Sequence, residues 1–331
     1  MIANQKCSIL VTGAAGFIGF HLCKQLLQSG CKVIGIDSIN SYYCTQLKED
    51  RLKELEKYSN FRFLKQDICD KQGLNQLFKN EQFDYVINLA AQAGVRYSIE
   101  QPYKYIDSNL IGFINILEAC RRYPVKHLIY ASSSSVYGNS KATPFSTQDA
   151  CNEPVSLYAA TKKSNEMMAH SYAHLYKIPI TGLRFFTVYG PFGRPDMAYF
   201  SFTDKIVKNE AIQVYNNGDL ERDFTYIDDI VKAIEKLIDL PFDRPEEIDK
   251  PYRLFNIGNN KPVKLLDFIK TLEKYIGKEA IKNFLPMQKG DVYQTYADIS
   301  DLENRIGFKP DTSLDKGLKE FIDWYKSYYS K

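Results

Sequence analysis

The stretch Ser8-Ile-Leu-Val-Thr-Gly-Ala-Ala-Gly-Phe-Ile-Gly19 decides the fold of this 331-residue chain. Ser8 to Val11 predicts a short buried strand, and the apolar residues of 20–27 recur at helical spacing. Glycine stands at positions 13, 16 and 19, in the turn between the two elements. The first glycine permits the turn, the second lets the backbone approach a pyrophosphate, and the third lets the helix pack closely on the sheet. Because a helix N-terminus also attracts phosphate, the stretch predicts a dinucleotide-binding unit.

The second predicted strand, Lys32 to Ile36, ends at Asp37. An acidic residue about 20 positions past the glycines is where such folds bind a ribose diol. The charge of Asp37 would repel a 2′-phosphate, so the sequence favours NAD over NADP. The alternative is a role for Asp37 as a turn or helix-cap residue.

Strand and helix signals alternate up to about Leu183, which is typical of a parallel sheet with crossover helices. The rest of the chain is richer in loops and prolines. We therefore predict an α/β protein with a Rossmann-type doubly wound parallel sheet and a smaller C-terminal substrate-binding domain. The predicted nucleotide domain comprises residues 1–183, joined by a strand and helix at about 223–240 that return to the sheet. The predicted substrate domain comprises residues 184–222 and 241–331.

Composition excludes several classes of protein. The net charge is +3 and no basic stripe appears, so nucleic acid is not an expected partner. No apolar run approaches about 18 residues, and the N-terminus has no secretory signal, so we expect a cytoplasmic protein without membrane spans. The seven cysteines form no C-x-x-C pair and predict reduced thiols, mostly in the core. His170 and His174 lack the intervening glutamate of a zinc motif, so no metal is expected. Residues 48–57 mix both charge signs, which predicts a solvated helix face.

Tyr158 and Lys162 stand four residues apart, a spacing that places both side chains on one helix face. A free phenol has a pKa near ~10, and a neighbouring ammonium lowers it. The pair therefore suits a general base near neutral pH. The same spacing also occurs on solvated helix faces.

A third motif is the apolar segment 128–131, which runs into four consecutive serines, Ser132 to Ser135. The carboxyl ends of parallel strands are where open α/β sheets bind ligands. A serine hydroxyl at this place can bridge a substrate hydroxyl and the tyrosine. The alternative is a flexible serine-rich loop.

Together these motifs resemble the short-chain dehydrogenase/reductase superfamily, and in particular its extended members. The resemblance implies that Tyr158 and Lys162 are catalytic, with Ser135 as the catalytic hydroxyl and Ser133 as a second candidate. It also implies a set of cofactor contacts. These are Gly13, Gly16, Phe17, Ile18, Gly19, Asp37, Asp67, Ile68, Ala90, Ala91, Tyr158 and Lys162. Dehydratases of this superfamily carry an Asp-Glu pair at the serine strand, and decarboxylating relatives usually have Glu there. The serines of this chain therefore favour a reversible hydride shuttle over elimination or decarboxylation.

The segments 181–191 and 193–200 resemble nucleotide-sugar 4-epimerases that act on UDP-glucuronate. Thr187 stands where epimerases of neutral UDP-sugars usually have Asn, and it leaves room for a carboxylate. Arg194 is the candidate counter-charge for that carboxylate, and Arg96 is a weaker one; the alternative for either is to hold a loop by donating to backbone carbonyls. The resemblance adds Gln213, Tyr215, Arg222 and the segment Lys289-Gly-Asp291 as contacts for the uracil and diphosphate. Tyr215 has core packing in a strand as its alternative.

The resemblance implies reversible C4 epimerisation of UDP-glucuronate to UDP-galacturonate through a 4-keto intermediate, with NAD tightly bound. The enzymatic alternative is an epimerase of UDP-glucose or UDP-N-acetylglucosamine, and the non-enzymatic one is an NAD-binding regulator. The helix at 105–117 carries Ile106, Leu110, Phe113 and Leu117 on one stripe, for which core packing is the alternative. In relatives this helix and the Tyr–Lys helix form a four-helix interface, so a homodimer is expected. Related enzymes of bacterial capsule pathways suggest a role in polysaccharide biosynthesis.

Overall fold

The computed structural model describes residues 7–140, 142–288 and 291–329. Twelve strands are present among these residues. They are β1 (Ser8–Thr12), β2 (Lys32–Asp37), β3 (Phe61–Lys65), β4 (Tyr85–Asn88), β5 (His127–Ser133), β6 (Ile180–Phe185), β7 (Thr187–Tyr189), β8 (Ile212–Val214), β9 (Glu221–Tyr226), β10 (Tyr252–Ile257), β11 (Pro262–Lys264) and β12 (Lys282–Phe284).

The helices connect and cover these strands. They are α1 (Phe17–Gln28), α2 (Thr45–Leu55), α3 (Lys71–Asn80), α4 (Tyr97–Glu100), α5 (Pro102–Tyr105), α6 (Gly112–Arg122), α7 (Leu157–Tyr176), α8 (Ala198–Val207), α9 (Ile227–Ile238), α10 (Pro245–Ile248), α11 (Leu265–Ile276), α12 (Ser300–Ile306) and α13 (Leu314–Tyr329). A π-helical turn, Ile106–Ile111, joins α5 to α6. Within the described ranges, no helix is long and apolar enough to cross a membrane.

The central sheet has seven strands in the order β10-β6-β5-β4-β1-β2-β3, and every neighbouring pair is parallel. From β1 the chain builds outward through β2 and β3, then returns to the other side of β1 with β4, β5 and β6. The strand order therefore reverses between β1 and β4, which is where open α/β sheets form their ligand crevice. The predicted doubly wound parallel fold is confirmed.

Alternating side chains of the strands serve two separate cores. Ile9 and Val11 of β1 pack in the core that contains α1 and α9, whereas Leu10 packs in the core that contains α3 and α6. This is the period of two expected for a strand buried on both faces. The helices of both layers thus hold β1 rigidly, and with it the turn that follows at residue 13.

Two smaller sheets lie beside the main one. Strands β7, β9 and β11 form the first, and β8 and β12 form the second. The prediction that a strand near 223 returns to the main sheet is wrong, because β9 pairs with β7 and β11. The carboxylate of Asp223, in β9, accepts hydrogen bonds from the backbone N–H groups of Asn259, Asn260 and Ala297. These N–H groups belong to loops, so the side chain holds β9 among loops beside the main sheet. The strand that returns is β10, which pairs with β6, while α9 packs against α1 on the main sheet. The division into two domains stays a prediction.

The predicted single helix at 105–117 is interrupted by the π-helical turn. The wider turn shifts the apolar stripe, so that Phe113 and Leu117 enter the core whereas Ile106 and Leu110 are half-buried. Asn109 lies within the turn and donates to the carbonyl of Gln92 and to the Thr161 hydroxyl. The turn thereby ties this segment to α7, the helix that carries Tyr158.

Candidate active site

One cavity of about 800 Å³ opens at the carboxyl ends of β1, β4 and β5. All the predicted catalytic, cofactor and substrate residues line it. They are Gly13, Gly16, Phe17, Ile18, Gly19, Asp37, Asp67, Ile68, Ala90, Ala91, Arg96, Ser133, Ser135, Tyr158, Lys162, Thr187, Arg194, Gln213, Tyr215 and Arg222. Asp291 also lines the cavity, whereas Lys289 and Gly290 lie outside the described residues. The structure therefore brings the two ends of the predicted site together.

The glycine turn is shaped by contacts that a side chain would block. Gly13 has φ +71°, and a Cβ there would stand 2.9 Å from the backbone nitrogen of Ala90. A Cβ on Gly16 would stand 2.9 Å from the carbonyl oxygen of Gly13, and one on Gly19 only 2.1 Å from that oxygen. The turn consequently keeps the open backbone surface at the start of α1 that a pyrophosphate needs.

Asp37, at the end of β2, supports this turn as well as lining the cavity. Its carboxylate accepts the N–H of Ala15 at 3.2 Å and the N–H of Ile39 at 2.8 Å. Burial raises the pKa of Asp37, while the bond from Ile39 and the charge of Lys48 oppose that rise. Asp37 therefore acts as the turn residue that was the alternative, while its role in binding a ribose stays a prediction.

Tyr158 lies in the first turn of α7, which Ser156 caps by accepting the N–H of Ala159 at 3.1 Å. The Ser133 hydroxyl is close enough to the phenol to lower its pKa. In this structure Ser133 donates to the Ser135 hydroxyl at 3.1 Å. Ser133 is therefore the serine nearer in effect to the phenol, with Ser135 bonded to it at the end of strand β5. Burial raises the pKa of Tyr158, and the bond with Ser133 and the charge of Arg194 act against that rise.

Lys162 lies one turn along α7, and its ammonium donates to the carbonyl oxygen of Ala131 at 2.8 Å. Burial lowers the pKa of Lys162 to about 8, and the charge of Glu166 acts against this. In this structure the ammonium is directed at strand β5, and the charge of Arg194 favours the phenolate form of Tyr158. The lowering of the Tyr158 pKa by Lys162 stays a prediction.

A buried ion pair beneath these residues was not predicted. Glu166 accepts two bonds from the Arg184 guanidinium, both at 2.8 Å, and a third from the Ser132 hydroxyl at 2.7 Å. The side chains of Glu166 and Arg184 are each only 1% exposed. Since Glu166 belongs to α7, Ser132 to β5 and Arg184 to β6, the pair fixes the tyrosine helix against the serine strand. The sequence offered one indication of this support: Glu166 stands four residues after Lys162, on the same helix face.

Arg194 reaches the cavity from the loop between β7 and α8. Its guanidinium binds Asp196 through two bonds, Nε to Oδ1 at 3.1 Å and Nη2 to Oδ2 at 2.5 Å. Thr187, at the start of β7, is half-buried on the same cavity wall. Arg194 and Thr187 thus line the same cavity as Tyr158, and their role toward a carboxylate stays a prediction.

The far end of the cavity holds the residues predicted for the nucleotide. Arg222 binds Asp291 at 2.7 Å, so its charge is partly neutralised. Tyr215 follows β8 in a turn, is half-buried, and donates to Gln213 at 2.6 Å. The guanidinium of Arg96 lies 5.1 Å above the Tyr215 ring. Tyr215 is therefore a cavity residue rather than core packing within a strand.

The segment after β2 contributes residues that sequence reasoning missed. Asn40, Tyr42, Tyr43 and Lys48 all line the cavity. The prediction of a solvated face over residues 48–57 is wrong at two positions, because Lys48 is 4% exposed and Arg51 is fully buried. The ammonium of Lys48 donates to the Asn40 backbone carbonyl at 2.7 Å and to the Asn40 side chain at 2.8 Å. The signal was the pair of tyrosines placed just beyond the carboxyl end of a parallel strand.

Comparison with known proteins agrees with this geometry. Residues 9–258 match the NAD dependent epimerase/dehydratase family. Protein CapI of Staphylococcus aureus is 55% identical over 333 residues, covering 98% of this chain and 99% of that protein. The probable UDP-glucuronate 4-epimerase of Rhizobium meliloti is 46% identical over 336 residues, covering 97% and 98%.

Among solved structures, the UDP-glucuronic acid 4-epimerase from Bacillus cereus in complex with UDP-glucuronic acid and NAD superposes with a TM-score of 0.89. It is 37% identical in sequence, and the match covers 97% of this chain and 100% of that chain. The family match spans well over half of the residues, and the relatives align from end to end. This chain belongs to the NAD dependent epimerase/dehydratase family.

Proposed function

We propose that the protein is an isomerase that interconverts UDP-glucuronate and UDP-galacturonate by reversible epimerisation at C4, with NAD tightly bound. The observation that carries the proposal is one continuous cavity. It joins the glycine turn to Tyr158 and Ser133, and continues to Thr187 and Arg194. The relatives named for UDP-glucuronate support the same reading.

The residues present fit NAD. The close contacts of Gly13, Gly16 and Gly19 leave the backbone open for a pyrophosphate at the start of α1. Asp37 is placed to bind a ribose diol and to repel a 2′-phosphate. Lys162, at the nicotinamide end of the cavity, would hold the second ribose. When bound, NAD supplies a hydride acceptor and donor at its nicotinamide.

Tyr158 performs the proton transfer. Its phenolate accepts the proton of the sugar 4-hydroxyl while C4 is oxidised, and the phenol returns a proton to that oxygen when the ketone is reduced on its opposite face. Ser133 stabilises the phenolate by turning its single hydroxyl proton from Ser135 to the phenolate oxygen, while its own oxygen still accepts the N–H of Ser135 at 3.1 Å. Arg194 adds a positive charge that favours the phenolate. The 4-keto sugar turns within the cavity between the two steps, so the reaction involves no net oxidation.

The uronate carboxylate accounts for the polar residues beyond the tyrosine. An unpaired charge in such a cavity would cost several kcal/mol, so a uronate enzyme needs a cation or donors at C6. Arg194 provides the cation once Asp196, which now binds it through two bonds, is displaced or shared, and Thr187 provides a donor. A 4-keto uronate is a β-keto acid that loses carbon dioxide readily, and a carboxylate held by these two side chains is kept in place. Glu, the acid of decarboxylating relatives, is absent from the serine run.

The nucleotide half of the substrate is assigned to the far end of the cavity. A guanidinium has fixed donors and a permanent charge, which suits a diphosphate. Arg222 therefore binds the diphosphate, with Arg96 beside it, and Tyr215 and Gln213 contact the uracil. Asp291 now holds Arg222 and would be displaced or shared when the diphosphate binds.

The proposal extends to assembly and location. Exposed apolar side chains on α4, α5, the π-helical turn and α7, namely Ile99, Tyr103, Ile111 and Met167, favour a homodimer through these segments. A cytoplasmic location follows from the use of nucleotide sugars and reduced thiols. UDP-galacturonate is an activated glycosyl donor, so we expect a glycosyltransferase of polysaccharide biosynthesis to use it. Light scattering on the purified chain tests the dimer.

Incubation of the protein with UDP-glucuronate, UDP-glucose and UDP-N-acetylglucosamine in separate reactions, with products identified by NMR, tests the activity. We expect UDP-galacturonate from the first and little conversion of the other two. Conversion of a neutral sugar alone would refute the uronate assignment. No conversion of any sugar, even with added NAD, would instead favour an NAD-binding regulator. Tyr158→Phe should lose turnover and still bind NAD, which separates a missing base from a misfolded chain.

A further inference from the structure

The loop that presents Arg194 is attached to the cofactor-binding turn through three consecutive backbone carbonyls. The carbonyl of Pro191 accepts a bond from the His21 ring at 2.9 Å. Those of Phe192 and Gly193 accept bonds from Arg51. His21 belongs to α1, the helix that begins at the glycine turn. The backbone immediately before Arg194 is therefore held by the nucleotide-binding half of the molecule.

Arg51, on α2, makes a complete set of hydrogen bonds with its five N–H groups. Nε donates to Phe192 at 3.1 Å, and Nη2 donates to Phe192 at 2.6 Å and to Gly193 at 3.0 Å. Nη1 donates to the carbonyl of Ala15 at 2.9 Å and to the Tyr43 hydroxyl at 2.8 Å. Ala15 lies inside the glycine turn, between Gly13 and Gly16. One guanidinium thus binds the cofactor turn with one nitrogen and the substrate loop with the other two.

Burying the charge of Arg51 costs free energy of folding. Arg51 is fully buried, and within the described part of the chain its hydrogen bonds go to backbone carbonyls and one tyrosine hydroxyl rather than to a carboxylate. A buried guanidinium is stable only if its donors are satisfied, and here backbone carbonyls from two separate loops satisfy four of the five bonds. If either loop moves away, a buried charge loses partners. The two loops are therefore expected to hold their positions together.

The backbone of Ala15 provides the link to the proposed cofactor site. Its N–H donates to Asp37, the proposed ribose ligand, and its carbonyl accepts from Arg51. A change in the glycine turn therefore acts on Arg51 directly. On the other side, Gly193 directly precedes Arg194, and the N–H of Arg194 donates to the Tyr199 hydroxyl at 3.1 Å. The path from the cofactor turn to the substrate cation runs through two hydrogen-bonded contacts.

We propose that Arg51 is a positioning residue that couples the cofactor turn to the Arg194 loop, so that NAD and the uronate substrate strengthen each other's binding. The proposal rests on the function proposed above. It assigns substrate discrimination partly to a residue outside the cavity wall. By linkage, the factor by which NAD improves UDP-glucuronate binding equals the factor by which UDP-glucuronate improves NAD binding.

Binding measurements on a Tyr158→Phe background, which prevents turnover, test this coupling. Calorimetry gives the dissociation constants of NAD, UDP and UDP-glucuronate, each with and without the second ligand. We expect Arg51→Met to bring the coupling factor close to one. Because typical coupling factors are about 5–150-fold, NAD and UDP-glucuronate should each bind at least about tenfold more weakly when the other ligand is present. UDP, which lacks the uronate, should bind as before. Arg51→Lys keeps the charge but has three donors, so it should retain part of the coupling.

The matched control is Lys53→Met on the same helix, where the side chain is 65% exposed. Coupling in Arg51→Met equal to that of the control would overturn the inference. So would an equal loss of affinity for UDP and UDP-glucuronate, since that pattern indicates general loosening. If Arg51→Met does not fold, an undiminished coupling in Arg51→Lys overturns the inference in its place. Failure of the proposed function would give a different result. The chain without the Arg51 change would then not bind UDP-glucuronate at all, and this would overturn the proposed function together with the coupling.

Discussion

Replacing Lys162 by methionine should stabilise the nucleotide-free chain at neutral pH while abolishing turnover. Lys162 is 4% exposed, and burial lowers its pKa from 10.5 to about 8. Its ammonium is thus held in the folded chain at a cost, which the bound ribose would offset. Methionine has a similar length and no charge, so it removes the cost but cannot bind the ribose.

The magnitude follows from the pKa values. The fall from 10.5 to about 8 corresponds to about 3 kcal/mol, at about 1.4 kcal/mol for each tenfold change in the protonation equilibrium. Methionine also loses the hydrogen bond to Ala131, which contributes about 1 kcal/mol. The net gain at pH 7 is therefore about 2 kcal/mol in the free energy of unfolding.

The sign of the effect should depend on pH. Below pH 8 the lysine is protonated in both states, so the full cost is present. Between pH 8 and 10.5 the unfolded chain holds a proton that the folded chain has released, so the parent gains stability as the pH rises. Above this window only the lost hydrogen bond remains, and the variant should be the less stable of the two by about 1 kcal/mol.

Urea unfolding of the nucleotide-free parent and variant at pH 7 and near the upper limit of this window provides the measurement. Bound NAD must be removed first, because a ligand that binds only the folded chain adds its own stability. Lys236→Met, at an exposed position of α9, is the control and should change stability little at either pH. A Lys162→Met chain that is less stable than the parent at pH 7, or a difference that does not vary with pH, would refute the reasoning.

Three further predictions concern the supports of the site. Glu166→Ala should lower the free energy of unfolding, measured in urea, by about 3–5 kcal/mol, because the buried Arg184 loses its partner. A second change, Arg184→Met, should restore part of this stability, and additive losses in the double variant would contradict the prediction. Gly19→Ala places a Cβ 2.1 Å from the carbonyl oxygen of Gly13, so calorimetry should show NAD binding weakened at least about tenfold with an unchanged circular dichroism spectrum. Asp37→Ser removes the charge that repels a 2′-phosphate, so the ratio of the NADP to the NAD dissociation constant should fall at least about tenfold; an unchanged ratio would mean that Asp37 only shapes the turn.

Much of the site was predictable because its chemistry is local in sequence. The three glycines constrain one tight turn, and Tyr158 and Lys162 share a helix face by spacing alone. The residues that support them were not predictable in the same way. Glu166 has Lys162 as a neighbour in sequence, but its partners Arg184 and Ser132 come from two different strands. Only packing of α7 on the sheet brings these three together.

The mixed-charge segment over residues 48–57 shows the limit most clearly. Alternating charges normally mark a solvated face, and Lys53 and Lys57 do behave in that way, each 65% exposed. Arg51 stands in the same run, but it is fully buried because carbonyls from residues 15, 192 and 193 converge on it. Those acceptors lie up to 142 positions away in the chain. No pattern within the segment contains them.

The sequence by itself determined the doubly wound sheet, the tight glycine turn and the placement of Tyr158 and Lys162 on one helix face, because each depends on contacts within a few residues or on a strict period. The tertiary structure alone decided which strand completes the sheet, which residues pack behind α7, and where the charged side chains lie relative to the phenol. It directs the ammonium of Lys162 to the carbonyl of Ala131 and brings the charge of Arg194, from a distant loop, close enough to act on Tyr158. Electrostatic effects depend on distances in space, and these are set only when the helices and loops have packed.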